Sequence, residues 1–164
     1  MINQLYSALQ QSFSPLQVVN LPQQQDDFNE FCNWLNHHGS NLQYVELKEY
    51  YDNGIEQCLL LQQHQVDIDA LQNKIEAEIE AAFPDEADEI ENVEDQYIDF
   101  YDTAFDTLFD NIKVVADSLG LKLLVIVREN PYWMVVPNHE ENIQQIIQAF
   151  NHVFAKDDLF LVEH

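Results

Sequence analysis

The chain has 164 residues, 46% of them hydrophobic and 12% aromatic, which suits one domain with a real core. Thirty Asp and Glu face six Lys and Arg, leaving a net charge of −24, yet this hydrophobic content excludes a wholly disordered chain. The charge also argues against direct binding of nucleic acid or a membrane surface, which are held by clustered bases, whereas Lys48, Lys74, Lys113, Lys122, Arg128 and Lys156 are scattered singly.

In chain order, the first segment is rich in amides (Gln10, Gln11, Gln17, Gln23, Gln24, Gln25) interrupted by Phe13, Leu16 and Leu21, and predicts no clear element. Asp26 and Asp27 then mark a helix start. Phe28, Phe31, Cys32 and Leu35 recur at spacings of three and four, and Gly39 is placed to close that helix. From Leu42 to Tyr51 apolar and polar residues alternate, and Asp52-Asn53-Gly54 follows. Asn-Gly is a strong hairpin signal, so a strand from Leu42, a turn and a return strand over Ile55–Gln62 are expected. Ile68, Leu71, Ile75 and Ile79 predict a helix ended by Pro84.

An acidic connector, Asp85–Glu91, leads to the longest helix signal. Tyr97, Tyr101, Ala104, Leu108, Ile112, Val115 and Leu119 step by three and four until Gly120. Leu121–Val127 reads as a buried strand, Glu129-Asn130-Pro131 as a turn and Tyr132–Val136 as the returning strand. Ile143, Ile146, Ile147, Phe150 and Phe154 define a last helix, and Leu159–Val162 a short edge strand. The expected fold is α+β in a single domain over 1–164, with an antiparallel sheet built from two hairpins packed by three or four helices.

Over half of the acids lie between Asp67 and Asp110, with Lys74 as the one base among them. Within the long helix, Asp95, Asp99, Asp102, Asp106 and Asp110 repeat at helical spacing on the face opposite the apolar stripe, with Asp117 seven residues on. Neighbours on such a stripe lie about 5–6 Å apart and repel, and Asp is itself a poor helix-interior residue. A solvated face could be built at lower cost, so the stripe is a candidate docking ridge for a partner. Trp34, Tyr50, Tyr51 and Trp133 flank expected turns and are candidate interface aromatics of the kind enriched at binding hot spots.

Catalytic and metal signatures are weak. Asp52-Asn53-Gly54 does not follow the calcium-loop order, and His37, His38, His64, His139 and His152 form no metal-binding motif. Three glycines cannot build a phosphate-cradling loop, and no serine stands in a nucleophile elbow. Cys32 and Cys58 read as inert core thiols in a reduced, cytoplasmic protein, since neither a membrane span nor a secretory leader is evident. The sequence therefore predicts no enzyme, no cofactor and no metal, but a protein partner with a basic surface.

In general character, a small, acidic α+β domain without catalytic apparatus resembles the immunity proteins of bacterial toxin–immunity pairs. That resemblance implies a non-catalytic inhibitor that masks a cognate toxin. The alternative is a nucleic-acid mimic that inhibits a DNA-binding protein through the Asp95–Asp110 row, whose step is close to that of backbone phosphates.

Overall fold

Leu121–Val127 is apolar at nearly every position, which a strand tolerates only when both of its faces are covered. The computed structural model, which describes residues 1–83 and 93–164 (for 93–98 the backbone alone), puts this strand at the centre of three layers. The elements run α1 (Ile2–Ser12), α2 (Phe28–Leu35), β1 (Gln43–Tyr44), α3 (Leu59–Gln63), α4 (Ile68–Ala82) and α5 (Val93–Ser118). There follow β2 (Leu121–Val127), β3 (Tyr132–Pro137), α6 (Glu140–Val153) and β4 (Phe160–Glu163). The sheet order is β1-β3-β2-β4 and every pairing is antiparallel. The fold is thus α+β, as the pattern of elements predicts. The connector Asp85–Glu91, Pro84, and the side chains of Asp95 and Tyr97 lie outside the described residues.

Side-chain alternation along β2 and β3 divides the core in two. Leu124, Ile126, Met134 and Val136 face α1, α2 and α6, while Leu123, Val125, Trp133 and Val135 face α4 and α5. The β2–β3 hairpin forms as expected, with Val125 opposite Trp133 and Ile126 opposite Tyr132. β4 adds to the other side of β2, pairing Val127 with Phe160 and Val125 with Val162.

Three expectations are corrected. Helix α2 starts where predicted, with the Asp27 carboxylate accepting from the Glu30 N–H at 2.9 Å, but it ends at Leu35 and not at Gly39. Asn36 supplies the reason. Its Oδ1 accepts from the N–H groups of Asn41 and Leu42, and its Nδ2 donates to Leu42 O, so the side chain satisfies a tight loop that leaves the helix early.

The first hairpin is absent. β1 is two residues long and pairs with Tyr132–Trp133 of β3, and the expected return strand forms the 3₁₀ turn Ile55–Gln57 and helix α3. Asn53 is buried, its Nδ2 donates to Tyr50 O and Gln72 Oε1, and its carbonyl accepts from the Trp133 indole at 2.8 Å. The Asn-Gly pair is an interior corner of a loop, and Gly54, at φ +81°, closes it against Gln43. Finally, the amide-rich N-terminal segment is ordered. Leu5, Tyr6, Ala8 and Leu9 bury one stripe of α1 against α6, where the Asn142 amide donates to Ala8 O and Ser12 Oγ.

Candidate partner interface

Helix α5 lies on the sheet through Ala104, Leu108, Ile112 and Ala116, all fully buried. One turn of helix advances about 5.4 Å, so the aspartates half a turn away are carried in a row on the outer flank. Asp99, Asp102, Asp106 and Asp110 are all exposed. Among the described residues no ion pair engages Asp99, Asp102 or Asp106, so their charges face solvent together. Further along, the row is tied down. The Asp110 Oδ1 lies 2.9 Å from the His164 Nε2, and Asp117 pairs with Lys122 at 2.8 Å and with Lys113 at 3.7 Å. The hydrogen bond from Lys122 holds the Asp117 carboxyl below the usual carboxylate range, and the same bond raises the Lys122 ammonium.

Beside this row the surface turns apolar. Tyr101 and Phe105 of α5, Leu47, and Val127 at the end of β2 wall a groove of about 430 Å³, with Asp102 and Glu129 on its rim. Val127 is 45% exposed, and its cross-strand partner Phe160 is 49% exposed. Val162 shares their side of the sheet, because its own partner Val125 is buried under α5. Arg128 borders the groove, but its guanidinium is 6.0 Å from the centre of the Tyr132 ring. Acid row and apolar groove are therefore contiguous along one flank of α5.

No family model, curated protein or solved structure matches this chain.

The aromatics singled out from the sequence do not gather at this flank. Trp133 is a correction to the expected interface set: it is 0% exposed and its indole N–H is spent on Asn53, so it is core. Trp34 is buried in the opposite layer, 4.7 Å from Tyr6 between ring centres. Tyr50 is half-buried, while Tyr51 is 58% exposed. Tyr50 packs on Phe100, which also contacts Phe83 just past the end of α4 and so projects from the other flank of α5. Tyr101, Phe105, Val127 and Phe160 escaped the sequence reading as site residues. The one local signal was Tyr101 and Phe105 standing one turn apart, each immediately before an aspartate.

The two thiols are muted. Burial pushes the Cys32 thiol up to about 12 and the Cys58 thiol up to about 11, which keeps both protonated at neutral pH. Among the described residues no three His, Cys, Asp or Glu side chains are grouped to hold a metal ion, and no helix is long and apolar enough to cross a membrane.

Proposed function

We propose that this chain is a non-catalytic binding protein of the immunity type, which neutralises a cognate toxin or effector by docking on a basic surface. The observation that carries the reading is the exposed row Asp99, Asp102, Asp106 and Asp110 running alongside the apolar groove. Exposed carboxylates steer a basic partner into encounter, and an adjoining apolar surface holds it once docked. The net charge of −24 works in the same direction at long range. Two free thiols, both held protonated, suit action in a reducing cytoplasm.

A phosphate mimic would present its charges without an apolar flank, which makes the nucleic-acid-mimic reading the lesser fit. The test is co-expression with the product of the reading frame adjacent to its gene, followed by stopped-flow association at low and high salt. A stoichiometric complex is expected, forming more slowly with the variant D99N/D102N/D106N/D110N, and the deficit should shrink as salt screens the row. Equal rates for parent and variant at both salt concentrations would refute docking through the row of aspartates. Competition by duplex DNA, with binding to several unrelated DNA-binding proteins, would replace the immunity reading with mimicry.

A further inference from the structure

We infer that the groove between α5 and the end of β2 receives an apolar side chain of the partner, carried on a segment whose neighbouring residues are Lys or Arg. This inference rests on the reading of α5 as a docking surface and specifies what it grips. Three observations carry it. Tyr101, Phe105 and Val127 wall a concavity of about 430 Å³, within the range of sites that enclose a ligand group. Phe160 and Val162 extend that apolar surface along β4, and because Phe160 is the cross-strand partner of Val127 their side chains stand on the same face. The rim nearest the row of aspartates is acidic, with Asp102 on the groove and Asp106 one turn away.

Charge complementarity selects the occupant. A second copy of this chain would bring −24 against −24, whereas a basic amphipathic segment places its anchor in the groove and its cations over Asp102 and Asp106. Strand addition is a poorer mode of binding at this edge. The outward-pointing N–H and C=O of Leu161 are both taken by the Asn151 side chain, at 2.6 and 3.0 Å. The partner's side chain, and not its backbone, is therefore the element the groove recognises.

The probes are two labelled synthetic peptides of equal charge, one with Leu and Lys at helical spacing and one with every Leu replaced by Gln. Binding is followed by fluorescence polarisation to the parent, to V127Q/F160S and to D102N/D106N. The Leu-Lys peptide is expected to bind the parent at least about tenfold more tightly than its Gln counterpart, the factor expected from burying one anchor. V127Q/F160S should erase that preference at every salt concentration. D102N/D106N should weaken both peptides at low salt and leave the preference intact. In the unmodified chain, the Val127 methyl resonances should shift with the Leu-Lys peptide alone, a readout that does not depend on any variant folding. A parent without preference for Leu, or a preference surviving V127Q/F160S, would overturn the groove assignment. Loss of the low-salt effect alone would strike the acidic row and leave the groove standing.

Discussion

Asp106 and Asp117 belong to the same acidic flank of α5, yet their surroundings give them opposite signs. Asp106 has aspartates one turn away on either side, and each like-charge pair disfavours the helix by roughly 0.2–0.5 kcal/mol. Asp117 instead accepts from Lys122 at 2.8 Å, which depresses its folded-state pKa. A depressed carboxyl stabilises the fold above its unfolded pKa, and that contribution is lost as pH falls through the folded value. Asp117→Asn should therefore melt below the parent at neutral pH, by less than about 1 kcal/mol for so exposed a pair. The difference should close in strongly acidic buffer. Asp106→Asn should melt at or above the parent at neutral pH. A lower melting temperature for Asp106→Asn would show that the carboxylate has a structural partner. Two interior residues admit sharper expectations. Trp133→Phe leaves the Asn53 carbonyl without its donor, a loss of about 1–3 kcal/mol by urea unfolding. Gly54→Ala brings a Cβ to 2.6 Å from that of Gln43 at a φ of +81°, and should destabilise by more than about 1–2 kcal/mol.

At the scale of elements, β4 shows how a four-residue strand is kept as an edge. Asn151 of α6 imitates a neighbouring backbone by donating to Leu161 O and accepting from Leu161 N–H. Asn151→Leu should accelerate amide exchange at Leu161 by at least about tenfold and destabilise the chain by about 1–3 kcal/mol. Unchanged exchange would mean that the β2 pairing alone orders this strand. Elements defined by local pattern were legible from sequence: α4 and α5 through their apolar steps, and β2–β3 through the Asn130-Pro131 turn between two apolar runs. Those that depend on distant partners were not. The two residues of β1 are held by Tyr132 and Trp133, far along the chain, so the alternation after Leu42 suggested a longer strand with a local mate. Helix α1 has no side-chain cap and no acid in its first turn, and its glutamines dilute a stripe that becomes apparent only against α6. The groove was hidden for the same reason, since Leu47, α5 and the end of β2 each contribute one part of it. The row of aspartates was visible because a single helix carries it.

For the whole molecule, thirty acids against six bases make self-repulsion a property of the fold and not of one pair. Added salt should therefore raise the melting temperature, because a Debye length of about 10 Å at 0.1 M cuts off repulsion between distant surface charges. The row on α5 contributes the best-defined share, since D99N/D102N/D106N relieves three like-charge contacts among the described residues while leaving the Asp110–His164 contact in place. Their sum, about 1 kcal/mol, corresponds to a rise of about 2–4 °C for a domain of this size. The variant should show this gain at low salt, and its melting temperature should depend less on salt than the parent's. Read together with association rates, the measurement separates two origins of the row. A variant that is more stable but slower to bind marks acids kept for encounter against the interest of the helix. A variant that is more stable and binds equally fast returns the row to ordinary surface, and the apolar groove would then have to account for recognition without electrostatic help from α5.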